Sequence, residues 1–313
     1  MDDEVISKGS EGWKLLYSSF TKLCRWKQGK VDVKFPQPRS ISRNDLHNLR
    51  TNMDNYYVSD KSDGERFMMM FVQSGVYMVS RSLTFSRVRY TKCLPNLLAG
   101  TVLDGEFSNS KYIVFDCVAI TGTYVGGYEL SRRLYHARCV NRMCTLEKCE
   151  MVCKSMVRLC FFWEFVKSLQ SLPYKYDGVI FTPSNKPIVF GTCDTYKWKD
   201  GSMNTVDFTI SESKERNVYD LSCIRNQELE VFTKVRLDES IVKTIIDVEC
   251  PVICEMRFDR KADKWCLCET EQGMPVLRKD KTTPNHWVVV QRTIQNIQEN
   301  ITMDQLQHAF RAY

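Results

Sequence analysis

The sequence predicts a two-domain protein of the α+β class, and three observations lead to this prediction. The chain has 313 residues, 43% of them hydrophobic, which is enough to bury more than one core. Short β-prone runs separated by Gly, Ser, Asn and Asp occupy residues 56–120, and helical spacing follows at 130–171. From about residue 215 short strands recur at regular spacing. We therefore expect a larger α+β domain and a small β-barrel.

The first predicted domain covers residues 1–212 and is built on antiparallel sheets. Its first strands are the runs FMMMFV, VYMVSR, TVLDGEF and KYIVFDCVAI. Ser131 is the expected N-cap of the helical stretch, and Pro173 is its stop. Strand patterns resume at GVIFT (178–182), TYKWK (195–199) and TVDFTI (205–210).

The second predicted domain covers residues 213–292. Its strands are LEVFTKV, TIIDVECPVICEMRF, KWCLCE and HWVVVQR, a set typical of a small barrel such as the oligonucleotide-binding fold. Four apolar residues then follow near helical spacing and predict a closing helix over about 293–313 that completes the first domain: Ile297, Ile301, Leu306 and Phe310.

Composition restricts the class of protein further. The N-terminal MDDEVISKGSEGWK is acidic where a signal peptide is basic, and no run approaches the roughly 18 apolar residues of a membrane span. We expect a soluble, intracellular protein with no membrane partner. The net charge of +6, with acids and bases mixed along the chain, permits an anionic partner without identifying one.

The 14 cysteines predict reduced thiols, because a large chain without an export signal is not a small disulfide scaffold. Cys139, Cys144, Cys149 and Cys153 cluster near His136. Their spacings are not those of a CxxC zinc knuckle and their stretch has a helical pattern, so small core residues are favoured over zinc ligands. Whether the cysteines bind metal stays open.

The segment KSDGER (61–66) matches the pattern KxDGxR between two strand-like runs. A lysine amine attacks a phosphate only when neutral, so an ordinary pKa of about 10.4 has to be lowered by burial or nearby cations. Arg66, Lys197 and Lys199 could supply those cations. Asp63 and Gly64 form a turn that would present Lys61 from a loop between two strands. A solvated hairpin tip is the alternative.

Acidic residues follow in LDGEF (103–107), FD (115–116) and YDGVI (176–180). On a strand, Asp104 and Glu106 share one face, so both carboxylates could reach one nucleotide or metal ion. Taken singly, each DG pair is better explained as an ordinary turn carrying solvated acids.

Two basic segments complete the pattern. In TYKWK (195–199), period-two alternation places Lys197 and Lys199 on one face and buries Trp198 on the other. Two adjacent lysines repel unless an anion lies between them, which indicates a phosphate site, with an exposed edge strand as the alternative. RKDKTTPN (278–285) offers two cations around one acid, or a solvated basic loop.

In this order, the segments resemble the nucleotidyltransferase motifs of the covalent superfamily of mRNA capping enzymes and polynucleotide ligases. KSDGER resembles motif I, LDGEF motif III, YIVFDCV motif IIIa, YDGVIF motif IV, YKWKDGSMNTVDF motif V and RKDKTTPN motif VI. The resemblance covers about residues 56–290 and implies a ligase-type, ATP-grasp-like domain followed by an oligonucleotide-binding fold. The KWK…NTVDF run, RKDKTTPN and CEMRFD…KW (254–265) are similar to the capping branch.

The resemblance implies an enzyme that moves GMP from GTP onto Lys61 and then onto the 5′-diphosphate end of RNA, forming a GpppN cap. An ATP-dependent RNA or DNA ligase is the alternative enzyme. A degenerate module that only binds RNA or a polymerase tail is disfavoured, because every charged position that the mechanism needs is filled.

The resemblance also assigns roles to single residues. Lys61 would be the nucleophile, Phe115 would stack on guanine unless it is a core residue, and a divalent metal, Mg²⁺ or Mn²⁺, would bind Glu106 and Asp177. The catalytic residues implied are Lys61, Lys197, Lys199, Arg278 and Lys281. The GTP-binding residues implied are Arg66, Arg81, Glu106, Phe115, Lys154, Asp177, Asp207 and Asp280.

The partners implied are GTP, 5′-diphosphate RNA, a separate RNA triphosphatase and cap methyltransferase, and an RNA polymerase II tail. The expected location is the nucleus, or a viral transcription site for a viral gene.

Overall fold

The computed structural model describes residues 4–26, 35–238, 252–279 and 281–311. The chain forms two compact units. The first unit contains Met1–Trp198 and Leu306–Tyr313, and the second unit contains Lys199–Gln305. The α+β class predicted from the sequence is confirmed, because helices and several separate sheets occur together.

The strands of the first unit, in chain order, are β1 Val5–Ile6, β2 Gln37–Ser40, β3 Tyr56–Ser62, β4 Glu65–Val72, β5 Gly75–Val79, β6 Phe85–Val88, β7 Tyr90–Cys93, β8 Thr101–Ser108, β9 Lys111–Ile120, β10 Thr123–Tyr124, β11 Cys144–Leu146, β12 Glu150–Cys153, β13 Val157–Arg158, β14 Tyr176–Pro183 and β15 Thr192–Trp198. Its helices are α1 Glu11–Leu23, α2 Arg43–Thr51, α3 Leu130–Met143 and α4 Phe162–Ser168.

Two sheets of the first unit matter for the site. Within the described ranges, one has eight strands in the order β1-β6-β5-β4-β8-β9-β10, with β12 parallel to β9. The other has five strands in the order β13-β3-β14-β15-β2. The consecutive strands β3 and β4 belong to different sheets, so the short turn between them carries the chain from one sheet to the other.

Strand β4 is apolar along most of its length because both of its faces are covered. Met69 and Phe71 pack into a core with Val140 of α3, whereas Met68 and Met70 pack into a second core with Phe20 of α1. Helix α1 begins at Ser10, whose side chain accepts a hydrogen bond from the Trp13 backbone N–H. The run FMMMFV is therefore a strand buried on two sides.

The second unit is built on an antiparallel sheet. Its elements are β16 Thr205–Glu212, β17 Val218–Arg225, β18 Glu228–Arg236, β19 Val252–Asp259, β20 Lys264–Leu267 and the helix α5 Trp287–Glu299, followed by α6 Met303–Ala309. The strand order is β18-β17-β16-β19-β20. In the described parts of this unit, no pairing between β18 and β20 closes the sheet into a barrel.

The division into units differs from the predicted one. Strand β16, placed in the first domain by the sequence, pairs with β19 and β17 and so lies in the second unit. The segment HWVVVQR, predicted as a strand, forms the start of α5. Its β-branched residues favour a strand, but helical spacing buries Val290 and leaves Val288 and Val289 exposed.

The predicted closing helix is two helices. Helix α5 ends at Asn300 in the left-handed conformation (φ 45°), and Ile297 packs in the core of the second unit. The chain returns to the first unit at Leu306. There Phe310 packs against Phe162 and Phe181, with ring centroids 5.1 and 5.6 Å apart.

The helical prediction for 130–171 was too long. The helix α3 begins at Leu130, with Ser131 inside its first turn, and ends at Met143. Strands β11 and β12 follow, because β11 pairs with β7 and β12 with β9, so that tertiary pairing overrides local spacing. A second helical segment follows, made of α4 and the short 3₁₀ turn Leu169–Ser171, and it ends before Pro173. Over the described residues the cysteines form no disulfide.

None of the described helices combines the length and apolar character that crossing a membrane requires.

Candidate active site

A cavity of about 490 Å³ opens in the first unit and is lined by strands of both large sheets. Seven of the predicted site residues line it: Lys61, Arg66, Arg81, Glu106, Phe115, Lys154 and Lys197. The structure therefore brings together residues from six separate sequence segments.

Lys61 is the penultimate residue of β3, so it projects from a strand and not from the predicted loop. The turn begins after it, and Gly64 is required there. A Cβ atom at Gly64 would lie 2.5 Å from the Phe107 carbonyl oxygen. The Ser108 hydroxyl also donates a hydrogen bond to the Asp63 carbonyl oxygen at 2.7 Å. The turn is thus fixed against β8, which fixes the position of Lys61.

The Lys61 ammonium forms an ion pair with Asp177, with Nζ and Oδ1 2.6 Å apart. Both side chains are mostly buried, with 21% and 11% of their surface exposed. Asp177 lies at the start of β14, the strand next to β3. The pairing of two adjacent strands therefore brings the predicted nucleophile and a predicted metal ligand together.

Arg66 is held by Asp104 in a two-pronged ion pair. Its Nε donates to Oδ1 at 2.9 Å and its Nη2 to Oδ2 at 2.5 Å, while Nη1 donates to the Pro36 carbonyl oxygen. Burial lowers the pKa of Arg66, but the Asp104 carboxylate more than offsets this and raises it overall. The prediction that Asp104 and Glu106 share one face of a strand is confirmed, since both line the cavity.

Lys154 is a buried cation whose ammonium is held by β3. Its Nζ donates to the Asp60 carbonyl oxygen at 3.1 Å and to the Ser62 hydroxyl at 2.8 Å. The Ser62 hydroxyl in turn donates to Glu106 Oε2 at 2.8 Å. Burial lowers the pKa of Lys154 and raises the pKa of Glu106, and each charge opposes the shift of the other.

A second two-pronged ion pair joins Arg133 of α3 to Asp116 of β9. The Nε to Oδ1 distance is 2.8 Å and the Nη2 to Oδ2 distance is 3.1 Å. Arg133 Nη1 also donates to the carbonyl oxygens of Tyr128 (2.5 Å) and Lys186 (3.1 Å). Burial raises the pKa of Asp116, and the Arg133 guanidinium opposes that shift. This pair fixes one wall of the cavity.

Phe115 is half-buried and lines the cavity together with Ile180. The Arg66 guanidinium lies 5.1 Å and the Lys154 ammonium 5.4 Å from the centre of its ring. A planar apolar side chain beside cations is a suitable surface for a nucleobase.

The prediction for the TYKWK segment is confirmed in part. Trp198 is buried, and Lys197 lines the cavity. Strand β15 ends at Trp198, however, so Lys199 lies beyond it and is the first residue of the second unit. The prediction that both lysines alternate along one strand is therefore wrong for Lys199, because the strand stops before it.

Asp207, Arg278 and Lys281 form a separate cluster in the second unit. Arg278 Nη1 lies 3.0 Å from Asp207 Oδ1, and the Lys281 ammonium pairs with Oδ2 of the same carboxylate. The Asp207 backbone N–H donates a hydrogen bond to the Asn285 side-chain oxygen at 2.9 Å. The Asn285 backbone N–H donates to the Asp207 carbonyl oxygen, also at 2.9 Å. Asp280 lies outside the described residues.

Sequence reasoning missed Asp60, Tyr174 and Arg133. No local signal marks Asp60 or Tyr174, because their hydrogen bond to each other joins residues that are 114 positions apart. Arg133 does stand on the side of α3 that carries the apolar positions Leu130, Leu134 and Ala137. A charged residue on an apolar helix face indicates a buried ion pair.

The first unit thus has a strand lysine paired with a carboxylate in a cation-lined cavity with an aromatic wall. This arrangement defines the class of the site as one suited to a phosphorylated nucleotide, because its cations can face phosphates and its aromatic wall a base. Residues 5–201 match the model of the family described as mRNA capping enzyme, catalytic domain. The chain belongs to this family.

Curated relatives agree with this membership. The Saccharomyces cerevisiae mRNA-capping enzyme subunit alpha is 32% identical over 219 residues, covering 56% of this chain and 47% of that protein. The Kluyveromyces lactis protein of the same name is 24% identical, covering 87% of this chain and 76% of that protein. The match thus spans about half the length of the first relative and about three quarters of the second.

Among solved structures, mycobacterial DNA ligase D complexed with ATP and MES is similar at a TM-score of 0.44 and 15% identity. The match covers 81% of this chain and 97% of that chain. A similarity at this level does not distinguish between activities.

Proposed function

We propose that this chain is an mRNA guanylyltransferase that transfers GMP from GTP, through a lysyl adduct on Lys61, to the 5′-diphosphate end of RNA. One observation supports this most: the Lys61 ammonium lies in the cavity, 2.6 Å from Asp177 Oδ1. A lysine placed in this way, in a family of capping enzymes, has the position that a nucleophile needs.

In the first proposed step Lys61 Nζ loses one proton and attacks the α-phosphorus of GTP, and the nitrogen releases a second proton as the P–N bond forms. The bond from α-phosphorus to the bridging oxygen breaks, and pyrophosphate leaves with the electron pair. Asp177 Oδ1 is near enough to accept the proton through its existing contact. In the second step a terminal oxygen of the RNA diphosphate attacks the same phosphorus, the P–N bond breaks, and the leaving nitrogen takes up two protons to return the Lys61 ammonium.

The remaining cavity residues are proposed to bind the nucleotide. Phe115 and Ile180 would form the apolar walls for guanine, and Lys154 would donate to the base. Arg66, Arg81 and Glu106 would hold the ribose side, and Lys197 the α-phosphate. Lys199, Arg278 and Lys281 are proposed to neutralise phosphate charge, with Asp207 holding Arg278 and Lys281. Asp280, between these two cations in sequence, is proposed to belong to the same GTP-binding segment.

A divalent metal fits the donor set. No group of three or more His, Cys, Asp or Glu side chains placed to hold a metal occurs among the described residues. Mg²⁺ needs only one or two carboxylates in addition to substrate phosphates. The contact of Asp177 with Lys61 and the hydrogen bond of Glu106 with the neighbouring Ser62 place both carboxylates beside the proposed nucleophile. These two residues would therefore hold the ion. When bound, it would neutralise phosphate charge.

Further features of the proposal follow from family membership. The second unit is proposed to be the oligonucleotide-binding fold, and the first to be the nucleotidyltransferase domain. Separate RNA triphosphatase and cap methyltransferase chains, an RNA polymerase II tail as partner, and a nuclear or viral site of action belong to the same proposal.

The first test is covalent labelling. We expect GTP carrying a labelled α-phosphate, with Mg²⁺ or Mn²⁺, to give an adduct that survives denaturation, whereas labelled ATP gives none. The reason is that the proposed hydrogen bond from Lys154 needs the acceptor oxygen O6 of guanine, where adenine has an amino group that donates. The measurement is retained label after gel electrophoresis under denaturing conditions. Labelling by ATP and not by GTP would reassign the chain as a ligase.

The second test concerns the aromatic wall. Phe115→Ala is expected to raise the KM for GTP by roughly 5- to 100-fold, with a smaller change in kcat, because base stacking is worth about 1–3 kcal/mol. Phe115→Tyr keeps the ring and serves as the control. The quantity measured is the initial rate of adduct formation against GTP concentration. An unchanged KM, or unfolding of the alanine variant at ordinary temperature, would instead make Phe115 a core residue.

A further inference from the structure

Asp60 is a buried carboxylate in β3 that lies directly before Lys61 in the sequence and does not line the cavity. Only 1% of the residue is exposed. Its Oδ1 accepts a hydrogen bond from the Tyr174 hydroxyl at 3.2 Å. Its Oδ2 lies 3.4 Å from the Lys154 ammonium, and no hydrogen-bond donor reaches this oxygen among the described residues. The charge of Asp60 therefore faces Lys154.

The Lys154 ammonium has three protons, and two of them are already used. They are donated to the Asp60 carbonyl oxygen and to the Ser62 hydroxyl, both on β3. Lys154 also lines the cavity, and its ammonium lies 5.4 Å from the Phe115 ring centre. The cation is thus anchored on one side by β3 while remaining next to the proposed base-binding wall.

We propose that Asp60 is a positioning residue, which holds the Lys154 ammonium beside Phe115 and thereby sets nucleobase recognition without touching the nucleotide. The inference rests on the proposed guanylyltransferase function. It adds a residue to which neither the motif pattern nor the cavity lining assigns a role.

The buried Lys154 ammonium calls for a negative charge at this position. Tyr174 donates to Oδ1, which fixes the group so that Oδ2 points to Lys154. An asparagine has one acceptor oxygen and one NH₂ group. Its oxygen could face Lys154 while its NH₂ donates to the Tyr174 hydroxyl, so an asparagine keeps the polar contacts but not the negative charge. A neutral isostere therefore removes the carboxylate that directly faces the buried ammonium and leaves Glu106, which is bonded to Ser62, as the other counter-charge.

The first experiment measures KM and kcat for adduct formation with GTP, and labelling by ATP, in Asp60→Asn. We expect the KM for GTP to rise about 10- to 100-fold, because the Lys154 ammonium loses the carboxylate that faces it. We expect a smaller fall in kcat, and a lower ratio of GTP to ATP labelling. Asp54→Asn is the matched control, because Asp54 is exposed and precedes the same strand; it should behave like the wild type.

The decisive experiment is a double-mutant cycle with Lys154→Met. If Asp60 acts through Lys154, adding Asp60→Asn to Lys154→Met should change the KM for GTP by less than about twofold. The midpoint of thermal unfolding should be lower in Lys154→Met, where Asp60 is buried without its cation, and should recover in the double variant. A purely structural role of Asp60 would lower the midpoint in both backgrounds.

The outcomes separate this inference from the proposed function. An unchanged KM in Asp60→Asn, or an equal rise in KM in both backgrounds, would overturn the positioning role. If Asp60→Asn does not fold, folding of the double variant supports the inference, and failure of both overturns it. Absence of a GTP adduct in the wild type would instead refute the proposed function, while the unfolding midpoints would still report whether Asp60 and Lys154 are coupled.

Discussion

Replacing Lys61 with arginine is expected to abolish the covalent adduct, with labelling by GTP reduced at least about a thousand-fold. The arginine preserves a positive charge that could pair with Asp177, so the electrostatics of the cavity change little. A guanidinium stays protonated under all ordinary conditions and has no free electron pair for attack on phosphorus. The measurement is the rate of adduct formation in a single turnover, with label counted after denaturation.

Lys197→Arg is the matched control for this prediction. Lys197 lines the same cavity, but its proposed role is charge neutralisation, which an arginine can perform. We expect Lys197→Arg to retain measurable labelling and to change the rate far less than Lys61→Arg. Normal labelling of Lys61→Arg, or a labelled peptide that contains a different lysine, would remove Lys61 from the mechanism.

Arg133→Met is expected to lower the free energy of unfolding by about 3–5 kcal/mol, the usual cost of breaking a buried ion pair by removing one partner. The substitution leaves Asp116 without its guanidinium and leaves the carbonyl oxygens of Tyr128 and Lys186 without this donor. The measurement is urea unfolding at neutral pH. Arg132→Met is the control, because Arg132 is the exposed neighbour on the same helix.

The loss in Arg133→Met should be smaller in acid. Burial raises the pKa of Asp116 in the folded protein, and Arg133 opposes that shift, so removing Arg133 raises the pKa further. A carboxyl whose pKa is raised by folding stabilises the fold when protonated and loses that contribution as pH rises through the folded pKa. The deficit relative to the wild type should therefore narrow toward acid pH. Adding Asp116→Asn should recover part of it at neutral pH, and a deficit that is constant with pH would contradict this explanation.

The sequence predicted the strands that carry the site better than it predicted the contacts within the site. Periodicity identified the strand around Asp104 and Glu106 and the burial of Trp198, because both depend on alternation along one strand. The predicted positions of Lys61 and Lys199 were wrong by one or two residues at strand ends. Such ends are set by turns and by neighbouring strands, which local patterns do not specify.

The ion-pair partners could not be predicted from sequence. Arg66 and Asp104 are 38 positions apart, and Lys61 and Asp177 are 116 apart. Which carboxylate meets which cation depends on strand order. The chain crosses from one sheet to the other at Gly64, so Lys61 lies in the sheet of Asp177 and Arg66 in the sheet of Asp104. The strand predicted for HWVVVQR was wrong for a related reason. Helical packing in the second unit outweighed the strand preference of its valines.

The pairing of the cavity cations also limits how the family can diverge. Among the described residues, Lys61, Arg66, Arg133 and Lys154 lie opposite Asp177, Asp104, Asp116 and Asp60, respectively. Where a pair is buried, losing one member leaves the charge of the other buried without a partner. A lineage that loses such a contact therefore passes through a less stable intermediate, unless both positions change together. These positions should therefore evolve as linked pairs. Divergent relatives should either keep both members of a pair or have replaced both, and an isolated replacement would mark a cavity in the course of losing its function.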